Sequence, residues 1–354
     1  MRIAIVNDTP QAMEVLIGFI RATRAHELAW GADNATTAIS LCDVDPPDLI
    51  VMDLGMSGVK AVEAIRQIMQ CHPCPILIVT DSVQQNYDTV FEAMGAGAID
   101  VLSTPDLYNG KSVQVAELLL QKIALLGFFR KPTRCSSSYS EWEFRDEAQD
   151  PKYLIVIGCS SGGPAAVAKL LAKLPSEFLA PIVVIQHIDA QFARPLASWL
   201  DEKTALKVKT ATESELLRPG HVYVAAKDKH LMMNRDCRLY YSVEPHETYY
   251  RPSVDVFFQS VATHWHYPVT AILLTGMGAD GAYGLLKLRR AGAYTVAQDE
   301  QTSAVYGMPK VAADMGAAVD VLSLSDISTL LRESALEKAE YCKSRLSGGV
   351  EKIP

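Results

Sequence analysis

A chain of 354 residues, with a net charge of -8 and 49% hydrophobic residues, is long enough for two domains, each with its own core. The mild acidity argues against a nucleic-acid-binding surface, and no apolar run reaches the roughly 20 residues that a membrane span needs. Seven scattered cysteines, an odd count, fit a reducing compartment better than a disulfide scaffold. The opening MRIAIVND reads as a strand and not as a signal peptide, so a cytoplasmic location is expected. Cys71-His72-Pro73-Cys74 has redox-motif spacing but precedes a strand, which favours an incidental role.

From Met1 to about Gly127, short apolar runs alternate with helical patterns. Strands are expected at Ile3 to Val6, Leu28 to Gly31, Leu49 to Met52, Ile76 to Val79 and Ile99 to Leu102. Helices are expected at Gln11 to Arg24, Thr36 to Cys42, Val59 to Met69, Val83 to Met94 and Ser112 to Leu126. Such alternation predicts a doubly wound parallel sheet. Sites in such sheets lie at the carboxyl ends of strands, here Asn7, Asp8, Asp53, Thr80 and Ser103-Thr104-Pro105.

This set resembles a response-regulator receiver domain, a flavodoxin-like (βα)5 fold. The resemblance implies that Asp53 is the phosphoacceptor, that Asp8 and Asp53 hold Mg²⁺, and that Thr80 bonds the phosphoryl group. Asn7 stands where receivers carry the first acid of a pair. Thr104 stands where they carry a lysine, and the loop after Asp53, LGMSG, is short. These departures imply slow phosphorylation or weak switching, and the alternative is a degenerate receiver kept for docking.

Residues 128–151 break both periodicities and read as a linker whose aromatics, Phe128, Phe129, Trp142 and Phe144, could dock on a domain. A second domain is expected over residues 152–340, with a polar tail over 341–354. Its first unit is Tyr153 to Pro164, YLIVIGCSSGGP: a buried strand, a Gly-rich turn and a helix. Gly158-Cys159-Ser160-Ser161-Gly162 fits the G-x-S-x-G nucleophile elbow, which places Ser160 at the bend and Ser161 at the helix start as a capping residue. The alternative is a turn that holds a phosphate or merely closes a βα unit.

Further along, Ile182 to Ile185 and Val269 to Leu274 read as buried strands, and Tyr294 to Ala297 as another. Short strands and a hairpin are expected between Val208 and Val243, and closing helices from Gly307-Met308-Pro309 and over Ile327 to Leu336. Of eight histidines, His187 alone directly follows a buried strand, as Ser160 does. His221, His230 and His246 fall in hairpin or loop contexts; His264 and His266 end a helix without a third ligand at metal spacing. Asp280 alone among the acids lies in a Gly-rich turn after a buried strand, whereas Asp189 reads as a helix cap. Ser160, His187 and Asp280 thus converge on one sheet edge and supply nucleophile, base and orienting acid, with the Met277 N–H as a candidate oxyanion donor. Singly, each admits a plainer reading, His187 as a strand-end histidine and Asp280 as a helix cap. The chain order Ser, His, Asp departs from that of α/β-hydrolases.

GCSSGG, QHI, RPSVD, TGMGADG, AQDE and GMP, in this order, closely resemble the chemoreceptor glutamate methylesterase of bacterial chemotaxis, the CheB family. The receiver, linker and catalytic layout matches as well. The resemblance implies an α/β esterase domain that hydrolyses γ-glutamyl methyl esters on methyl-accepting chemoreceptors without a cofactor, and that deamidates selected receptor glutamines. It implies that a CheA-type histidine kinase relieves occlusion by the receiver, and that neither nucleic acid nor membrane insertion is involved. A non-catalytic adaptor and a general serine esterase remain as rivals, and methanol release from methylated receptor separates them.

Overall fold

The computed structural model describes residues 1–23, 25–55, 58–80, 87–104, 112–126 and 153–333. The expected linker and the polar tail lie outside the described residues.

The first domain runs β1 (Arg2–Val6), α1 (Pro10–Arg21), β2 (Glu27–Ala32), α2 (Ala35–Val44), β3 (Leu49–Asp53), α3 (Gly58–Cys71), β4 (Ile76–Thr80), α4 (Tyr87–Ala96), β5 (Asp100–Ser103) and α5 (Ser112–Leu126). β1, β3 and β4 are near-continuous apolar runs because both faces of the sheet are covered there. Their order is β2-β1-β3-β4-β5, all parallel, the flavodoxin-like winding. In α1, Ala12, Leu16 and Ile20 recur on one stripe and are buried, and Pro10 opens the helix. Asn34 caps α2 by accepting the Thr37 N–H. The expected helix from Val83 begins at Tyr87 among the described residues.

The second domain continues β6 (Leu154–Cys159), α6 (Gly163–Leu171), β7 (Ile182–Gln186), α7 (Ala190–Asp201), β8 (Lys207–Thr210), β9 (Glu215–Leu216), β10 (His221–Val224), β11 (His230–Met233), β12 (Arg238–Ser242), α8 (Val254–His264), β13 (Val269–Leu273), α9 (Ala282–Arg290), β14 (Tyr294–Gln298), α10 (Met308–Asp314) and β15 (Asp320–Leu322). Residues 324–333 are helical, with Ile327 and Leu331 fully buried. The sheet order is β15-β14-β13-β6-β7-β10-β8, parallel throughout. The hairpin is β11-β12, extended by β9. The strands at Val208 and Val222 belong to the main sheet beside β7 and not to the hairpin. Their apolar alternation is the same in either setting, so only the pairing decides.

The chain winds from β6 to β7 on one side and returns to β13 on the other. That reversal opens a crevice at the carboxyl ends of β13, β6 and β7, where open α/β sheets bind their ligands.

The two domains share one buried apolar cluster, in which the α2–α4 face of the first meets α6 and α7 of the second. Phe91 stacks on Trp199 with centroids 5.7 Å apart, and Tyr87 meets Phe192 edge-on at 6.1 Å. Aromatic pairs of this kind each add about 0.5–1.5 kcal/mol beyond their burial.

Candidate active site

Register fixes the first two residues of the site. Cys159 pairs with Gln186 across β6 and β7, so Ser160 and His187 are the next residues out on neighbouring strands. The His187 N–H donates to Cys159 O at 3.0 Å. Gln186, buried, fastens the two ends together: its Nε2 donates to Ser160 O at 2.8 Å and to His187 O at 3.0 Å, and its Oε1 accepts the Cys159 thiol.

Three adjacent side chains could be nucleophiles, and their surroundings separate them. Cys159 ends a buried strand, and burial pushes its thiol far up, away from the reactive thiolate. Ser161 is not a cap. The N-cap of α6 is Gly162, at φ +76, and the Ser161 hydroxyl donates to Asp100 Oδ2 of the first domain at 3.1 Å. The left-handed turn at Gly162 ends the elbow one residue later than the sequence pattern suggests. Ser160 is held through its backbone among the described residues: its N–H donates to Thr275 O and its carbonyl accepts from Gly163 and Gln186. Its hydroxyl is left for chemistry. Gly276 permits this closeness, since a Cβ there would lie 2.8 Å from Ser160 Cβ.

Asp280 reaches the crevice from the loop after β13. Its Oδ2 accepts His187 Nε2 at 2.7 Å and the Val254 N–H at 2.7 Å. Its Oδ1 accepts the Ser253 hydroxyl at 2.8 Å and the Asp255 N–H at 3.1 Å. Asp280 thus sits at the N-terminus of α8 and not as a cap of α9, whose N-cap is Gly281. Burial works against its charge, but the His187 bond and interaction, the Val254 N–H and the Ser253 hydroxyl together hold its carboxyl below the usual range. Neighbouring Asp255 goes the other way: burial outweighs its backbone hydrogen bonds and, with repulsion from Asp280, raises it to about 6.

Asp280 occupies His187 Nε2, which leaves Nδ1 as the ring nitrogen for a serine proton. Nδ1 is buried and has no hydrogen-bond partner among the described residues. The Ser160–His187 hydrogen bond is therefore unmade in this state, as catalytic hydrogen bonds often are before substrate binds. Met277, also buried, has an N–H with no acceptor among the described residues. Serine, histidine, carboxylate and a spare N–H meet in one crevice, which suits acyl transfer.

The curated relatives and the family models agree with that chemistry. The CheB methylesterase model matches residues 155–331, and the response regulator receiver domain model matches residues 3–107. A Mesorhizobium japonicum protein named protein-glutamate methylesterase/protein-glutamine glutaminase is 46% identical over 94% of this chain and 98% of its own length. The chain belongs to the CheB methylesterase family. A Burkholderia orbicola member with the same activity in its name is 47% identical over 93% of this chain and 97% of its own. The solved catalytic domain of Thermotoga maritima CheB methylesterase is 36% identical, covers 51% of this chain and 97% of its own, and has a TM-score of 0.49.

The receiver reaches the Ser160 elbow directly. Ile99 O accepts the Gly162 N–H at 2.8 Å, one residue beyond the Ser161–Asp100 bond, and Lys122 Nζ holds Asp100 Oδ2 at 2.7 Å. Met277 belongs to the same buried cluster as receiver residues Ile99 and Leu102. Ser160 is 8% exposed, and the side chains of His187 and Asp280 are 7% and 9% exposed. Among the described residues all three are thus largely shielded from solvent.

At the receiver's own strand ends, Asp53 Oδ2 accepts Asn7 Nδ2 at 3.1 Å and Oδ1 accepts the Gly55 N–H at 3.0 Å. Asp8 is exposed beside them, and Thr80 is fully buried at the end of β4. Thr104 is buried and its N–H donates to Thr80 O at 2.7 Å. Asn7 turns its amide N–H₂ towards Asp53, where an acid would offer an oxygen.

Sequence reasoning missed Gln186, Ser253 and His230. Gln186 and Ser253 lie inside the motifs QHI and RPSVD, so the signal was present. His230 is fully buried, and its Nδ1 accepts the Ser253 N–H at 3.2 Å, behind Asp280. Nothing local marked it.

Proposed function

We propose that the chain is a protein-glutamate methylesterase, and a protein-glutamine glutaminase, whose serine hydrolase site is Ser160, His187 and Asp280 and whose receiver keeps that site closed until it is phosphorylated. The observation that carries this is the His187–Asp280 bond at the switch point of the sheet, one strand from Ser160. Ser160 Oγ attacks the γ-carbonyl of a glutamyl methyl ester on a methyl-accepting chemoreceptor as its proton passes to His187 Nδ1. The carbonyl π electrons move to oxygen, where the Met277 N–H meets the oxyanion. The tetrahedral intermediate collapses, the C–OCH₃ bond breaks, and His187 returns the proton to methoxide. Water then attacks the glutamyl-serine ester with the same base, freeing the carboxylate and Ser160. Asp280 stabilises the imidazolium through Nε2, the mirror assignment of the two ring nitrogens relative to the chymotrypsin arrangement. With glutamine as substrate, ammonia leaves in place of methanol.

The test is methanol release from methylated chemoreceptor, with and without a small-molecule phosphodonor. Release that rises with the phosphodonor supports the reading; hydrolysis of small esters with none from receptor would replace it with a general esterase. The receptor and a CheA-type kinase are the proposed partners, in the cytoplasm. Among the described residues no helix is long and apolar enough to cross a membrane.

Phosphorylation falls on Asp53 in this reading. Asp8 and Asp53 offer hard carboxylate oxygens, a set that suits Mg²⁺ bound through one or two carboxylates with water and phosphate. Bound there, Mg²⁺ offsets the negative charge that gathers as the phosphoryl group arrives. Thr80, at the next strand end, supplies the hydroxyl, and Asn7 orients the Asp53 carboxylate. Asp53→Asn removes activation by phosphodonor while leaving unstimulated methanol release within about twofold, since the amide oxygen still accepts one of the two hydrogen bonds and the change lies at the receiver's own strand ends, not beside Ser160. Methanol release with and without phosphodonor checks this.

Release of the receiver has its own test. Asp100→Ala removes both the Ser161 and Lys122 bonds. Hydrogen bonds to a charged group are worth about 1.5–3 kcal/mol, so unstimulated methanol release rises about tenfold, while the phosphorylated rate is unchanged. Unchanged unstimulated release would show that Asp100 does not hold the closed state.

A further inference from the structure

The His187 ring has a neighbour that the reaction scheme does not use. Tyr250 lies between β12 and α8, directly before Arg251-Pro252-Ser253. Its ring is parallel to the imidazole, with centroids 4.2 Å apart and planes within 4°. Tyr249, 81% exposed, closes on Tyr250 edge-on at 5.0 Å and 82°. On its far side the Tyr250 hydroxyl approaches the backbone beside Met277: a Cβ on Gly278 would lie 3.2 Å from Tyr250 Oη.

We propose that Tyr250 is a positioning residue for the esterase reaction: its ring fixes the plane of the His187 imidazole, and its π face stabilises the imidazolium formed when Nδ1 takes the Ser160 proton. This rests on the assignment of Ser160 and His187 given above. The Asp280 bond holds the imidazole at one atom, Nε2, and a ring pinned at one point can still pivot about it. A flat neighbour over one face removes that freedom and keeps Nδ1 turned to its task. The face of a phenol ring carries negative potential, so it attracts a cation above it more than a neutral ring. That attraction exists only once the proton has moved, which makes it a contribution to the transition state and not to the resting enzyme.

The other charged or titratable groups near the ring do not replace this contact. Asp280 faces the Nε2 edge, Asp255 lies behind Asp280 across the start of α8, and His230 is reached only through Ser253. The Cys159 thiol, on the strand beside His187, is neutral because burial raises it. Among the described residues Tyr250 is the aromatic ring stacked on the imidazole.

The full chain serves for the test, measured with phosphodonor present across the pH range. Tyr250→Leu lowers kcat about tenfold, moves the midpoint of the acid limb down by about half a pH unit, and changes KM less than twofold. The downward sign follows because loss of the π face disfavours the imidazolium, so the base stays neutral to lower pH. Tyr250→Phe keeps the ring and restores both kcat and the limb. A series of increasingly fluorinated phenylalanines at position 250 preserves shape while draining the face of charge, and moves the midpoint down stepwise, which serves even if the leucine variant folds poorly. An acid limb that does not move across the fluorinated series overturns the proposal, as does Tyr250→Phe being as slow as Tyr250→Leu. Ser160→Ala, run alongside, separates the two levels: turnover retained there removes the catalytic assignment itself, whatever the Tyr250 variants do.

Discussion

Ser160→Ala lowers kcat for methanol release by about 10⁴–10⁶-fold, because removal of an activated serine leaves only oxyanion stabilisation and binding. The chain remains folded. Among the described residues Ser160 is tied in through its backbone N–H and carbonyl, and alanine keeps both. The site is small and buried, so loss of one hydroxyl costs less than about 1 kcal/mol. Thermal melting beside the methanol assay separates lost chemistry from lost fold. Turnover within tenfold of the wild type would remove Ser160 as nucleophile. Cys159 cannot stand in, since its thiol lies in the sheet with a raised pKa.

Asp280→Asn has the next largest effect, and it acts on both rate and stability. The carboxylate accepts four hydrogen bonds, from His187, Ser253 and the N–H groups of Val254 and Asp255. An amide keeps one accepting oxygen and places N–H₂ where the other stood, which sets the wrong imidazole tautomer. Loss of the orienting acid costs about 10⁴-fold in kcat in the chymotrypsin triad, and a loss of about 10³–10⁴-fold is expected here. The same substitution turns a donor towards the first turn of α8 and costs about 1–3 kcal/mol of stability. KM changes little, since Asp280 meets the imidazole and not the substrate.

The pH dependence follows from the direction of the Asp280 shift. Its folded-state carboxyl is held below the unfolded value, so the folded chain binds that proton less tightly. Its contribution to stability is complete above the ordinary carboxylate range and is lost as pH falls through the lowered folded value. Asp255, raised to about 6, has the opposite sign: its burial costs stability as pH rises from the ordinary carboxylate range to about 6. Melting temperatures of Asp280→Asn and the wild type therefore converge in acid and separate towards neutral pH. A gap that stayed constant with pH would mean that the Asp280 charge plays no part in holding α8.

Local pattern carried the strands, the helices and the elbow, because burial on both faces of a parallel sheet writes continuous apolar runs and the bend writes glycines. The same reading placed Ser160, His187 and Asp280 at strand ends, since each follows such a run within a few residues. The receiver's departures, Asn7 and Thr104, were legible as residues, but only the fold shows Asn7 turning its amide to Asp53. Ser161 illustrates the limit. Its position suggests a cap, yet its hydroxyl goes to Asp100, 61 residues earlier and in the other domain.

Residue pattern alone is enough to name the elements, the family motifs they carry and the three side chains at one sheet edge. The folded chain adds which nitrogen of His187 is free, that Tyr250 covers its ring, that His230 and Ser253 stand behind Asp280, and that the receiver fastens the elbow. The physical reason is separation along the chain. His187 and Asp280 are 93 residues apart, and they meet because β13 returns to the far side of β6. Strand order and domain packing are set by the sum of many weak apolar contacts, and no local period records that sum.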